Sequence, residues 1–340
     1  MDKHFVVRDV AGQCHASTVC SVGGGSLVVA WFQGDHEGAP NSRIWLTQGH
    51  EDWLPPVVVS GNLAPCWSPV IHLQSSGSLV LYFKVGRAIS SWQTFLSTST
   101  DGGLTWSEPL PLVSGDAGGR GPVRTPPVRL QSGRVLAGAS TETWGEPARW
   151  DAFVDISDDD GLTWRCTADV EIDHETFQGA GIIQPTLWQA RSGKIQLLAR
   201  STAGQLVRSS SCDDGETWSP AVLSGVPNNN SGISACRVER TVYLAHNPVS
   251  GDWATRAPLI LSRSDDDGAT WQPWVILESS LEAVEGVGYR PADSGVRTTG
   301  VNEFSYPCLI GTPHGLAVTY TWQRRGIVLA RLDPTSGSHP

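Results

Sequence analysis

One eight-residue turn recurs along the chain and limits the fold more than any other feature. Four copies follow the pattern Ser-x-Asp-x-Gly-x-Thr-Trp and end at Trp106, Trp164, Trp218 and Trp271. The intervals between these tryptophans are 58, 54 and 53 residues, and a step of 53 back from Trp106 reaches Trp53, which follows a degenerate copy. A fixed period of this length is typical of repeat architectures in which each repeat forms one supersecondary unit.

The chemistry of this turn, an Asp box, is local. The aspartate side chain accepts backbone N–H bonds within the turn, and glycine adopts a positive φ at little steric cost. Between the boxes lie short β-rich segments without long helical periodicity, and about four strands per ~55-residue repeat indicate propeller blades. Five turns and a sixth unit after Trp271 therefore predict an all-β, six-bladed β-propeller with Asp-box turns. We expect one domain over residues 1–340, in which Gly326–Leu332 shares a blade with Phe5–Asp9.

Charge and composition restrict the possible partners. The formal net charge of −10 argues against nucleic acid, because phosphate binding needs a basic surface. The sequence has no run of 18 apolar residues, so no membrane span is predicted. The first residues lack the apolar core of a signal peptide, which favours a cytoplasmic protein. A propeller closes on itself, so a monomer is expected.

The cysteines do not suggest a metal site. The seven cysteines are an odd number without CxxC spacing, so neither a metal nor another cofactor is expected. Four of them lie in or beside strand-like segments and are predicted to be buried thiols, namely Cys14, Cys20, Cys66 and Cys308.

Polar side chains recur where each blade faces the propeller axis. Residues just before the first strand of a blade, or just after the second, surround the axis at one face of a propeller. The first position holds His15, Trp67, Ser68, Arg124, Thr125, Gln184, Asn230, Ser231 and Glu303 to Tyr306. The second holds Asp35 to Glu37, Lys84, Glu142, Arg200, His246, Asn247 and Trp322 to Arg325. These side chains predict a ligand-binding funnel rather than an inert rim.

Several stretches at these positions carry a family resemblance. They are Cys14-His15-Ala16-Ser17-Thr18, Gln184-Pro185-Thr186, Asn230-Ser231-Gly232-Ile233, Arg256-Ala257-Pro258-Leu259 and Glu303-Phe304-Ser305-Tyr306-Pro307. With the Asp boxes, they resemble the sialidase superfamily, in particular the BNR/Asp-box neuraminidase-like proteins. The resemblance implies three arginines that clamp a sugar carboxylate, a tyrosine nucleophile activated by a glutamate, and an aspartate acid/base.

By position, the resemblance assigns most of these roles. Tyr306 matches the nucleophile, Arg200 the second arginine and Arg256 the third, and Asp35 or Glu37 falls where the acid/base belongs. Two positions depart from the pattern. The place of the first arginine holds Cys14-His15-Ala16-Ser17, and the activating glutamate is replaced by Gln184, which cannot take a proton from a tyrosine.

The remaining groups still suit an acidic sugar. Two arginines can hold its carboxylate, and that neutralisation acidifies the C5 proton of a uronate, which His15 or Tyr306 could abstract. Both exo-sialidase-type hydrolysis and uronate β-elimination stay open, since some relatives resemble lyases that release rhamnose from glucuronate. The predicted partner is an acidic glycan. The further candidates for substrate binding are Gln184, Arg124, Lys84, Glu303, Asn230 and Trp67.

Two other interpretations stay open. A non-catalytic propeller that binds a glycan or a protein is the alternative to an enzyme, and the two departures favour it. The long connection from Glu282 to Asn302, ahead of the last blade, is either a lid over the site or a variable loop.

Overall fold

Six small antiparallel sheets form a six-bladed β-propeller in the computed structural model, which describes residues 1–116, 119–279 and 288–334. The N-terminal strand is β1 (Asp2–Arg8). The first blade contains β2 (Gln13–Gly23), β3 (Ser26–Gly34), β4 (Arg43–Gly49) and β5 (Val57–Val58). The second contains β6 (Cys66–Leu73), β7 (Leu79–Val85), β8 (Gln93–Ser99) and β9 (Leu110–Pro111), with a 3₁₀ turn at Ile89–Ser91. The third contains β10 (Val128–Arg129), β11 (Val135–Thr143), β12 (Arg149–Ser157) and β13 (Arg165–Cys166).

The other three blades repeat this order. The fourth contains β14 (Ile182–Gln189), β15 (Ile195–Ser201), β16 (Gln205–Ser211) and β17 (Val222–Pro227). The fifth contains β18 (Ser234–Val238), β19 (Thr241–His246), β20 (Leu259–Ser264) and β21 (Gln272–Glu278). A hairpin of β22 (Arg290–Ala292) and β23 (Gly295–Arg297) precedes the sixth blade. That blade contains β24 (Phe304–Thr312), β25 (Gly315–Trp322) and β26 (Gly326–Leu332), and β1 pairs with β26 as its outer strand.

The Asp boxes join the third strand to the fourth in the second to fifth blades. In one of them, Asp213 Oδ1 accepts bonds from Ser211 Oγ at 2.7 Å and from the Thr217 amide at 3.0 Å. Bonds donated by Thr217 and Ser211 lower the pKa of Asp213 to about 2. The sixth blade has no such turn because its third and fourth strands come from opposite ends of the chain.

A β-bulge interrupts four of the inner strands near their axial ends. The ladder register shifts there, and the bulged residues Ala16, Ser68, Gln184 and Tyr306 have φ values of 54°, 41°, 54° and 52°. A positive φ is uncommon for a residue with a side chain, and such strain concentrates at functional sites. A bulge also turns its side chain away from the regular alternation. The strained backbone therefore lies where side chains meet the propeller axis.

Aromatic side chains fill the space between blades. Trp164 of the third blade's Asp box meets Tyr82 of the second blade edge to face, with ring centroids 6.0 Å apart. Trp271 meets Trp188 of the preceding blade in the same way at 6.1 Å. Such pairs contribute about 0.5–1.5 kcal/mol beyond the area that they bury. The Trp of the box therefore packs adjacent blades together.

The cysteines predicted to be buried are buried free thiols. They are Cys14, Cys20, Cys66 and Cys308. Burial raises the pKa of Cys14 to about 12, so this group stays protonated at neutral pH. Within the described residues, no helix has the length and apolar character needed to cross a membrane.

Candidate functional site

The axial ends of the inner strands enclose a narrow cavity of about 30 Å³. Its polar wall is formed by His15, Glu37, Glu142, Gln184, Arg200 and Tyr306. Its aromatic wall is formed by Trp67, Trp92, Trp144, Trp150 and Trp253. An apolar enclosure with a few convergent polar groups is the usual composition of a small-molecule site, and indole rings suit the faces of sugars.

Tyr306 and Arg200 form the centre of the site. Arg200 Nη1 donates to Tyr306 Oη at 2.7 Å and to Gln184 Oε1 at 3.1 Å, while its Nε donates to Asn230 Oδ1 at 2.9 Å. Arg200 is 1% exposed, and no carboxylate of the described residues forms an ion pair with it. A buried cation whose bonded partners are all neutral is unfavourable unless an anion completes its surroundings.

A second centre is the carboxylate of Glu303, which holds two more arginines. Its Oε1 accepts from Arg256 Nη1 at 2.7 Å, Arg324 Nε at 2.9 Å and Ser305 Oγ at 2.9 Å. Burial opposes ionisation of Glu303, but Arg324 and Arg256 outweigh it and lower its pKa. Arg324 Nη1 also donates to Glu37 Oε2 at 2.5 Å, which ties the first blade to the sixth.

The Nη2 atoms of Arg256 and Arg324 are buried donors without an acceptor in the described part of the chain. Both guanidinium groups lie near Tyr306, with Arg256 Cζ 5.4 Å from the tyrosine ring centroid. A buried donor that is left unbonded costs about 1–3 kcal/mol. Two such donors near the ring of Tyr306 could pair with the oxygens of a bound carboxylate.

The ring of His15 packs against that of Tyr306 in a tilted arrangement. The ring centroids are 4.2 Å apart, and His15 Nδ1 is 2.9 Å from Thr321 Oγ1. Its Nε2 is buried and has no partner among the described residues. Burial, followed by the charges of the surrounding arginines, lowers the pKa of His15 well below its usual value. The imidazole is therefore neutral at neutral pH.

The side chain of Arg124 contacts the backbone at Tyr306 and does not line the cavity. Its guanidinium donates to the backbone oxygens of Ser17, Tyr306 and Pro307, and its contact with the Pro307 oxygen is 2.9 Å. This arrangement corrects the expectation that Arg124 faces substrate. The side chain is committed to holding the strained backbone of Tyr306, because three carbonyl groups meet there.

Lys84 and Asp35 are also placed away from the cavity. Lys84 Nζ donates to Thr94 Oγ1 at 2.6 Å and to the Arg120 oxygen at 2.7 Å, so it supports the wall between two blades. Asp35 is exposed, whereas Glu37 lines the cavity. Of the two candidates for the acid/base, only Glu37 is placed at the cavity, because the loop after β3 turns Glu37 inward and leaves Asp35 exposed.

The other sequence candidates contact the site or form part of it. Gln184 and Trp67 line the cavity. Arg256 is bonded to Glu303, and Asn230 accepts a hydrogen bond from Arg200. Trp67 is 1% exposed and donates its Nε1 to the Gly86 oxygen at 2.8 Å, so its indole is fixed in place.

The described part of the long connection, residues 288–302, covers the site. Tyr289 lies over Arg256, with Cζ 4.6 Å from the ring centroid, and Arg297 Nη1 donates to the Glu37 oxygen at 2.8 Å. Asp293 Oδ1 and Oδ2 accept from the Ser90 amide at 2.7 Å and from Ser90 Oγ at 2.6 Å. Val296 of β23 lines the cavity, so the hairpin β22–β23 forms part of its wall. The rest of the predicted connection, residues 282–287, lies outside the described residues.

Four residues at or beside the cavity were not predicted from the sequence to belong to the site. Arg324 and Glu142 stood among the positions after second strands, but their roles depend on contacts with other blades. Trp253 and Tyr289 lie in connections, where no strand register predicts direction. The sequence signal for Arg324 is its position just after β25, opposite Glu303 just before β24.

The comparisons with known proteins identify the family and the fold. A family profile described as BNR repeat-like domain matches residues 25–318, which is most of the chain. The chain belongs to this BNR repeat-like family. No curated protein matches this BNR-repeat chain in sequence.

Solved structures show what the fold of this BNR-repeat protein is similar to. A protein of unknown function from Dyadobacter fermentans has a TM-score of 0.72 at 17% identity, with 97% of each chain covered. The Hadza microbial sialidase Hz136 has a TM-score of 0.72 at 14% identity over 95% of this chain and 66% of that one. A Trypanosoma rangeli sialidase in complex with the inhibitor DANA has a TM-score of 0.66 at 14% identity over 94% and 55%. The fold is therefore the sialidase propeller, and the chain spans about half to two thirds of these two sialidases.

Proposed function

We propose that this protein is a carbohydrate-active enzyme that cleaves a terminal glycosidic bond at a carboxylated sugar. The observation that carries the proposal is the buried guanidinium of Arg200, which has only neutral bonded partners and faces the cavity. The unbonded Nη2 atoms of Arg256 and Arg324 add further donors. Three arginines around one tyrosine fit a sugar carboxylate better than a neutral sugar.

The chemistry next to the arginines favours uronate β-elimination. Gln184 has no basic oxygen that could take a proton from Tyr306, and Tyr306 Oη receives a bond from Arg200. We assign the base to His15 because it lines the cavity and its Nε2 has no protein partner among the described residues. Burial and the surrounding arginines lower its pKa, and a bound carboxylate would offset the arginine charges and make the ring easier to protonate. In this reaction His15 takes the C5 proton, the C–H electrons form the C4–C5 double bond, and the C4–O bond breaks.

Hydrolysis of a sialoside is the second candidate, and the position of Tyr306 favours it. Tyr306 opens the inner strand of the sixth blade, which is where the sialidase resemblance puts the nucleophile. The bond from Arg200 would stabilise the developing tyrosinate. Among the described residues, the Tyr306 hydroxyl is hydrogen-bonded to Arg200 and to no carboxylate, which makes this route the weaker one.

Substrate entry requires the hairpin β22–β23 to move. Drug-sized ligand sites usually have volumes of about 300–1,000 Å³, so the closed cavity of about 30 Å³ is too small for a sugar ring. The hairpin is held by a few polar contacts, chiefly Asp293 with Ser90 and Arg297 with Glu37. We propose that it opens to admit substrate and closes to exclude water.

Two parallel assays test this function. One uses a fluorogenic sialoside, and the other uses a glucuronate-containing glycan followed at ~235 nm for the unsaturated product of elimination. The proposal predicts an absorbance rise from the uronate. Release from the sialoside alone would replace elimination with hydrolysis. Silence on both substrates, combined with binding of an acidic glycan, would support the binding-module alternative.

A further inference from the structure

Glu142 is a buried carboxyl group that the reaction above does not use. It lies next to the end of β11 and is paired with Trp150 of β12. Its side chain lines the same cavity as His15, Arg200 and Tyr306. Glu37 and Glu303 form ion pairs with Arg324, whereas Glu142 forms none with any cation of the described residues.

The surroundings of Glu142 favour its protonated form. Trp144 and Trp150 lie beside it in the cavity wall, with ring centroids 5.2 Å apart. Burial raises the pKa of Glu142 to about 7, although the charge of Arg200 opposes this change. Asp293 of the hairpin and Glu37 of the first blade also face it, and their negative charges raise the pKa further.

We propose that Glu142 is the general acid that delivers a proton to the leaving glycosidic oxygen. This inference rests on the proposed function and adds a catalytic residue to it. The C–O bond electrons move onto the leaving oxygen, which takes the proton from Glu142. The O–H bond electrons stay on Glu142 as a carboxylate. The step has the same balance for elimination and for hydrolysis.

The division of labour among the acidic side chains supports this role. When two carboxyl groups have environments that separate their pKa values, the group with the higher pKa is suited to act as the acid. Glu303 is fixed as the partner of Arg256 and Arg324, and its pKa is lowered. Glu142, in contrast, faces the cavity from an aromatic environment, beside Trp144 and Trp150.

Leaving-group dependence tests Glu142 most directly. Glu142→Gln is compared with Glu146→Gln, a control on the exposed loop of the same hairpin. One substrate carries a sugar alcohol as leaving group, and a matched one carries 4-nitrophenol, which leaves without a proton. Glu142→Gln is expected to lose about 10²–10⁴-fold in kcat on the sugar alcohol and less than about tenfold on nitrophenol. The alkaline limb of the wild-type pH profile should disappear as well.

Several results would overturn this role. Equal losses of kcat on the two leaving groups would show that Glu142 supports the structure of the site and does not donate a proton. The same conclusion would follow if Glu142→Asp, which keeps a carboxyl group, lost as much kcat on the sugar alcohol as Glu142→Gln. If wild type is active and Glu142→Gln behaves like Glu146→Gln, the role of Glu142 fails while the proposed function stands. If wild type is inactive on every acidic glycoside, the proposed function itself fails and the acid role fails with it.

Discussion

Replacing Glu142 with glutamine should change how stability depends on pH. The carboxyl is 8% exposed, and its pKa is raised from 4.5 to about 7 in the folded protein. A difference of this size corresponds to about 3 kcal/mol of free energy between the protonated and ionised forms. Glutamine has a similar shape and cannot ionise, so comparison of the two proteins isolates this contribution.

The sign of the effect follows from proton linkage. The folded protein binds the Glu142 proton more tightly than the unfolded chain, so this contribution to stability is complete below about pH 4.5. It is lost as pH rises from about 4.5 to about 7, because the unfolded chain ionises freely while burial resists ionisation in the fold. Across this range, the free energy of unfolding of Glu142→Gln should therefore rise relative to wild type by up to about 3 kcal/mol.

Denaturant unfolding at a series of pH values measures this difference. All other titrating groups are shared by the two proteins, so their contributions largely cancel. Glu146→Gln, on the exposed loop of the same hairpin, is measured in parallel as the control for the amide substitution itself. A flat difference for Glu142→Gln would refute the reasoning, since it would mean that Glu142 ionises in the fold as easily as in the unfolded chain.

Four further changes separate catalysis, binding and structure. Tyr306→Phe removes a hydroxyl that Arg200 contacts but that elimination by His15 does not use, so turnover of a uronate glycan should change less than about tenfold, whereas a fall of about 10²-fold or more would favour hydrolysis by Tyr306. Arg324→Met leaves two buried carboxylates without their shared cation and should lower the free energy of unfolding by about 3–5 kcal/mol in urea titrations. Asp213→Ala removes Asp-box bonds and should cost about 2 kcal/mol of stability with unchanged kcat/KM. Asp293→Ala should loosen the hairpin, which limited proteolysis within residues 288–302 would detect.

The fold was predictable because the turns that separate its strands are determined by neighbouring residues. Each Asp box contains its own hydrogen-bond acceptor, its own glycine and its own tryptophan, so a few adjacent residues determine the turn. The similar spacing of the box tryptophans from Trp106 to Trp271 then sets the size of the blades. The inner-strand positions of Gln184 and Tyr306 follow from the same repeat.

The site was less predictable because side-chain direction depends on contacts between distant blades. Arg124 and Lys84 have the expected position in the repeat, but carbonyl groups of neighbouring strands draw their side chains away from the cavity. Glu303 and Arg324 are brought together only by the pairing of β24 with β25. The pKa of Glu142 depends on indoles that pack around it after folding.

Recognition of a carboxylate is the central claim, and one comparison tests it most directly. A uronate glycan is offered beside the same glycan with its carboxylate converted to a primary carboxamide, which keeps the carbonyl and loses the charge. The arginines predict that kcat/KM falls by about 10²-fold or more on the carboxamide, because charge-assisted bonds from Arg200 are lost. Equal turnover of the two glycans would contradict the account.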